Sequence, residues 1–208
     1  MMALEHGIAR LVEEFIAAGR PSSRQQNIDD RRAGYVASAV LAGESETRVQ
    51  VDDITLEGIN FRVVSPQNAA GPLPTVIYYH GGCFVSGGFA THDKQWRQLA
   101  YDSGCRVIAV QYRLAPEQTF PAAHDDAERG AQIIRRHAEA LGVDTSQITL
   151  AGDSAGGNLA LVTALRLKAA GAWLPAQLIL IIPCWTLPRL RQATSATERI
   201  TSSPGIRS

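Results

Sequence analysis

Four short runs rich in β-forming residues, spaced by stretches of helix length, set the strongest limit on what this chain can fold into. The runs are Thr75–Tyr79, Arg106–Gln111, Ile148–Ala151 and Leu178–Ile182. Between them, Thr91 to Ser103 reads as a helix with Thr91 as its N-cap. Pro121 stands where a first helical residue would, and that helix continues to about Leu141. A third helix runs from Ala155 to Ala170 and stops at Gly171. Strands alternating with helices of this length mean an α/β fold built on a largely parallel sheet.

The flanks are less regular. Ile8, Leu11, Val12, Phe15 and Ile16 fall at helical spacing, which predicts an amphipathic helix ended near Gly19 and Pro21. A second helix is expected from Asp29 to Leu41, then strands over Arg48–Leu56 and Ile59–Val64, then a loop from Pro66 to Pro74. After Pro183 neither period is kept, and residues 184–208 read as an irregular tail.

Composition excludes several classes. Hydrophobic residues make up 45% of the 208, enough for a core and too many for a disordered chain. The formal net charge is zero, which argues against a nucleic-acid or anionic-membrane partner. That zero is a cancellation, −5 through Ser154 and +5 after it. Cys83, Cys105 and Cys184 have neither disulfide-framework nor zinc-ligand spacing, so no metal and no cofactor is expected. Charges at Glu5, Arg10, Glu13 and Glu14 interrupt the N-terminus, unlike a signal peptide, and Leu178–Ile182 is too short to span a bilayer. A cytoplasmic location is the expectation; oligomeric state is left open.

Gly152-Asp153-Ser154-Ala155-Gly156 is a G-x-S-x-G pentapeptide between an apolar strand and a long helix. A serine on so sharp a turn needs small neighbours, and the turn lifts its hydroxyl above the sheet beside the helix N-terminus. His80-Gly81-Gly82-Cys83-Phe84 directly follows the Thr75–Tyr79 strand. A glycine loop there can present N–H groups to the negative charge that develops in acyl transfer. Both motifs fall at C-terminal strand ends, where such sheets bind ligands.

With Tyr112-Arg-Leu-Ala-Pro-Glu117 and Phe120-Pro-Ala-Ala123 followed by Asp125 and Asp126, these blocks stand in the order of a known family. The chain resembles the hormone-sensitive-lipase-like serine esterases and lipases of the α/β-hydrolase fold. The resemblance implies a carboxylic ester substrate and Ser154 as nucleophile. It implies an oxyanion hole from the loop Gly81, Gly82, Cys83 together with Ala155, and His80 as the residue that shapes that loop. It also implies that residues 1–44 form cap helices over a hydrolase core at 45–183. Cys83 replaces the family's usual third glycine. If its φ is positive it carries strain that glycine avoids, and a small packed side chain is the expected role.

In this fold the acid and base follow the nucleophile, yet no His and no Asp follows Ser154, and the only acid is Glu198. His80 is the one upstream histidine weighed as a substitute base. His6, His92 and His137 read as solvated helix faces, and His124 beside Asp125 lacks metal-ligand spacing. Asp125, Asp126, Tyr112 and Arg113 read as braces of the loop after Arg106–Gln111; Tyr78 and Tyr79 read as core, and Phe15 and Ile16 as packing. Three functions are therefore compared: an active esterase, an inactive product of a truncated or frame-shifted gene with its sheet incomplete at the C-terminal end, and a non-catalytic small-ligand binder. A frame-shift predicts that translating the coding nucleotides past Pro183 in the other frames recovers an acid block and a histidine loop; open frames without them exclude it.

Overall fold

The computed structural model describes residues 6–19, 21 and 25–183. The 184–208 tail and Cys184, and with them Glu198, lie outside the described residues, as does the side chain of His6. Among the described residues six strands form one sheet in the order β1-β2-β4-β3-β5-β6. They are β1 (Val49–Leu56), β2 (Ile59–Pro66), β3 (Leu73–Tyr79), β4 (Arg106–Gln111), β5 (Val143–Asp153) and β6 (Gln177–Ile181). The first two pair antiparallel, and β2 meets β4 antiparallel. From β4 through β3 and β5 to β6 all pairings are parallel.

The helices are α1 (His6–Ala17), α2 (Ile28–Ser38), α3 (Phe89–Ser103), α4 (Ala122–Arg136) and α5 (Ala155–Ala169). Strand alternation sorts β3 between two cores. Val76 and Tyr78 face the layer of α3, with Trp96, Ala100, Val107 and Ala109. Ile77 and Tyr79 face the layer of α4 and α5, with Ile108, Ala127, Ile134, Leu150 and Leu159. Because β3 is covered on both faces it reads as an unbroken apolar run rather than an alternating one.

Several boundaries differ from the sequence reading. The third helix begins at Phe89, and Thr91 is not its N-cap. From inside the first turn the Thr91 hydroxyl accepts from Gly88 N and donates to Gly88 O. Pro121 precedes the helix start instead of opening it, and α4 ends at Arg136 with a turn to Gly142. The fifth strand starts at Val143, five residues before Ile148, because Leu73 pairs there with Val143. Asn27 caps α2: its side-chain oxygen accepts from Asp30 N at 2.8 Å.

The chain leaves β3 through α3 to β4 on one side and reaches β5 on the other through α4. The direction of winding therefore reverses at β3, the point where such sheets open a crevice. The register Tyr79↔Gly152 fixes what meets there: the residues after β3 lie beside those after β5.

Ile77 is fully buried in this central strand, whereas Leu174 is 58% exposed. Ile77→Ala should cost about 2–5 kcal/mol in urea unfolding. Leu174→Ala should stay within about 0.5 kcal/mol.

Candidate active site

The turn after β5 is forced by its neighbours. Ser154 takes φ 50°, ψ −114°, a conformation costly for a residue with a side chain. A Cβ on Gly156 would overlap the Tyr79 carbonyl, and one on Gly152 would lie against Gly156 and Tyr79 O. The first turn of α5 thus rests on the backbone end of β3, and only glycine permits it. Ser154 N donates to Ile181 O at 2.8 Å, tying the turn to β6 as well.

Asp153 ties this turn to the glycine loop. Its Oδ1 accepts from Gly81 N at 2.9 Å and from the Tyr78 hydroxyl at 3.0 Å. The same oxygen faces His92 Nε2 at 3.4 Å. Burial alone would raise this carboxyl; His92, Tyr78 and the Gly81 N–H more than offset that and hold it below its ordinary value. Burial, then the Asp153 charge, keeps the Tyr78 hydroxyl protonated well above its usual range, so it remains a donor.

The loop itself is held by its carbonyls. Gly81 O accepts from His80 Nδ1 at 2.8 Å. Gly82 O accepts from Val85 N at 3.1 Å, Ser86 N at 3.0 Å and the Ser86 hydroxyl at 3.0 Å. Phe84 O accepts from Ala115 N at 2.9 Å. In a trans peptide the N–H points opposite to the C=O. Fixing the carbonyls of Gly81 and Gly82 therefore also aims the N–H groups of Gly82 and Cys83.

His80 is 1% exposed, stacked on Tyr112, and pushed down to about 4 chiefly by burial. The neutral ring donates from Nδ1 to Gly81 O, and Tyr112 donates its hydroxyl to His80 O at 2.7 Å.

Other sequence readings are sorted by the same contacts. Arg113 grips Asp126 through its main-chain N and its guanidinium, at 2.8–2.9 Å. Asp125 pairs with Arg166 of α5. The Arg113–Asp126 pair and Tyr112 are the braces expected after β4, whereas Asp125 ties α4 to α5 instead of bracing that loop; Tyr78 and Tyr79 are buried as expected. His92 is a correction: it lies on no solvated face but is 1% exposed, between Trp96 and Tyr35 and against Asp153. Part of its cover is Tyr35 of α2, a contact between segments far apart in sequence. His137 is half-buried beside Glu57, and His124 Nε2 lies 3.1 Å from Asn158 Oδ1.

Cys83 is a second correction. It is exposed rather than packed, and its φ of 56° is the strained region that a glycine would occupy freely. Phe15 and Ile16 are 58% and 70% exposed, so the packing expected of them is not made. Phe15, Arg31, Tyr35 and Leu41 instead line a cavity of about 660 Å³ that reaches Gly82 and Ser86 of the loop. Among the described residues no group of three or more His, Cys, Asp or Glu could hold a metal ion, and no helix is long and apolar enough to cross a membrane.

A loop and a serine elbow held together at the switch point of such a sheet define a hydrolase-type site. The chain belongs to the alpha/beta hydrolase fold family, whose model matches residues 76–206. It is similar to the ethyl acetate hydrolase of Pseudomonas putida, 36% identical over 169 residues, which cover 77% of this chain and 53% of that one. Among solved structures it is similar to the hyperthermophilic esterase of the archaeon Pyrobaculum calidifontis. That likeness has 38% identity and a TM-score of 0.79, covering 88% of this chain and 60% of that one. An ester-hydrolase from the metagenome of Lake Arreo, solved with a bipyridine phosphonate derivative, gives 36% identity and a TM-score of 0.80 over 90% of this chain and 62% of that one. The chain thus spans about half the length of the curated relative and about three-fifths of the solved ones.

His80 generates a pH prediction. Its folded value of about 4 lies below the ordinary 6.5, so the unfolded chain takes the proton first as pH falls. Stability is full above about pH 6.5, drops by about 3 kcal/mol on the way to about pH 4, and then levels in this group. His80→Gln should flatten that window in urea titrations at stepped pH, while the loss below the carboxylate range, where Asp153 protonates, persists.

Proposed function

We propose that this chain carries the nucleophile and oxyanion hole of a serine hydrolase acting on carboxylic esters through an acyl-enzyme at Ser154. The observation that carries the reading is the tie from Asp153 to Gly81 N, which sets the serine elbow and the glycine loop at a fixed separation. The esterase relatives support the ester class.

In this reading Ser154 Oγ attacks the ester carbonyl and gives up its proton to a base. The carbonyl oxygen becomes an oxyanion facing the N–H groups of Gly82, Cys83 and Ala155. The Gly81 peptide contributes through its carbonyl, held by His80, which aims the Gly82 N–H. Collapse expels the alcohol, and water then releases the acid. The cavity between the N-terminal helices and the loop would take the acyl chain, with residues 1–44 acting as cap.

A second reading, capture of an ester without turnover, is favoured by one observation: among the described side chains the histidines are all engaged, His80 with Gly81 O, His92 with Asp153, His124 with Asn158 and His137 with Glu57. His80 in particular shapes the loop rather than serving as base.

A fluorophosphonate probe separates the readings. Ser154 Oγ would displace fluoride from phosphorus, adding the phosphonyl mass to the Ser154 peptide in the native chain and not in Ser154→Ala. Steady release of p-nitrophenol from p-nitrophenyl acetate, lost at least about a thousandfold in Ser154→Ala, supports the full esterase. Labelling with a single-equivalent burst and no steady rate supports the second reading. A native chain that takes no label overturns the activated nucleophile.

A further inference from the structure

The oxyanion loop is held from outside by one residue whose charge the reaction does not directly use. Arg32 lies on α2, more than fifty residues upstream of the loop. Its Nε donates to Val85 O at 2.8 Å and its Nη2 to Ala115 O at 3.1 Å. The remaining face of the fork meets Glu117, Nη1 to Oε1 at 2.7 Å and Nη2 to Oε2 at 2.8 Å. Four hydrogen bonds to acceptors on three residues use four of the five N–H donors of the planar guanidinium, a geometry that lysine cannot reproduce. The side chain is 28% exposed, so only part of it remains in water.

What lies beyond Val85 O gives this contact its meaning. The N–H in the same peptide as Val85 C=O is that of Ser86, and it donates to Gly82 O at 3.0 Å. The N–H in the same peptide as Gly82 C=O is that of Cys83. In trans peptides the two groups point oppositely, so the dipoles line up in series. The series runs from Arg32 through the Val85–Ser86 peptide to the Gly82–Cys83 peptide. A cation on the first oxygen polarises the Ser86 N–H. That N–H then pulls harder on Gly82 O, and the Cys83 N–H becomes the stronger donor.

We propose that Arg32 is a positioning residue for the oxyanion hole, anchoring a two-peptide hydrogen-bond chain that ends on the Cys83 N–H. The proposal rests on the reading of Ser154 and its loop given above. It assigns to helix α2 a part in transition-state stabilisation, beside its part as a wall of the cavity. It also accounts for the left-handed Cys83: the Gly82 carbonyl is turned inward to receive three donors from Val85 and Ser86, and the next residue bears the strain.

The test uses the full chain with Arg32→Met, which keeps the aliphatic stem, and Arg32→Lys, which keeps a charge and one donor. Amide hydrogen exchange at Ser86 reads the chain of peptides without reference to activity. Fluorophosphonate labelling, resolved into probe affinity and bond-forming rate constant, reads the oxyanion hole. Arg32→Met should speed Ser86 exchange by at least about tenfold and slow bond formation by about tenfold, with affinity within about threefold. Arg32→Lys should recover part of both losses. If Arg32→Met does not fold, Arg32→Gln takes its place with the same expectations. Ser86 exchange within twofold of native in a folded Met or Gln variant overturns the proposal. So does a bond-forming rate unchanged while the native chain labels. A native chain that takes no label defeats the hydrolase reading instead, and Ser86 exchange then still decides whether Arg32 holds the peptide chain.

Discussion

Gly156 has no room for a side chain because the Tyr79 carbonyl occupies the place its Cβ would take. That contact presses the start of α5 onto the end of β3, and most of what surrounds the site follows from it. It requires β3 and β5 to be neighbours in the register that pairs Tyr79 with Gly152. It puts the glycine loop, which continues β3, beside the serine elbow, which continues β5. It also bends the backbone at Ser154 into a conformation that only surrounding structure can hold. The burial of Ile77, Leu150 and Leu159 in one core supplies the packing against which this strain is maintained.

On that frame, the electrostatics serve orientation more than charge. Asp153 is half-sequestered and keeps its charge because His92, Tyr78 and Gly81 N all face it. His80 is sequestered and stays neutral, which leaves a single donor at Nδ1 to hold the Gly81 carbonyl. One ionised and one neutral group therefore fix successive peptides of the same loop. If Asp153 were protonated it would lose acceptor strength toward Gly81. If His80 were charged it would sit in the core without a counterion. The loop's geometry is thus maintained only where the first is ionised and the second is not, the range above both values.

Much of this was legible from residues in order. The strand-helix alternation predicted the sheet, and the two glycine motifs lay at the ends of strands that prove to be neighbours. Cys83 in place of a glycine raises the question of a positive φ, and its φ is 56°. The parts that escaped depend on contacts across long sequence separations. Thr91 and Asp93 beside His92 are polar, and although Trp96 stacks on it from its own helix, the rest of its cover comes from His80 and from Tyr35 on another helix. Asp153 occupies the unconstrained position of its pentapeptide, and nothing local says that Gly81 will need its carboxylate. Arg32 and Glu117 are 85 residues apart, and opposite charges at that distance pair only once the fold is known. The early start of β5 escaped for a related reason: Asp144 and Ser146 do make a local turn contact, and the pairing of Val143 with Leu73 carries the strand past it through a register shift.

The helix that supplies Arg32 also supplies Tyr35, which packs on His92 and lines the cavity beside Gly82. The loop is therefore supported from α2 along two routes. One runs through Val85 and Ser86 to Gly82 O. The other runs through His92 and Asp153 to Gly81 N. Both end on adjacent residues of the loop, Gly82 and Gly81, so a displacement of α2 moves the cavity wall and the N–H groups together. Under the cap role proposed above, the cap does not merely cover a preformed site. Whatever seats α2 against the core also seats the glycine loop, which makes α2 part of that site's construction.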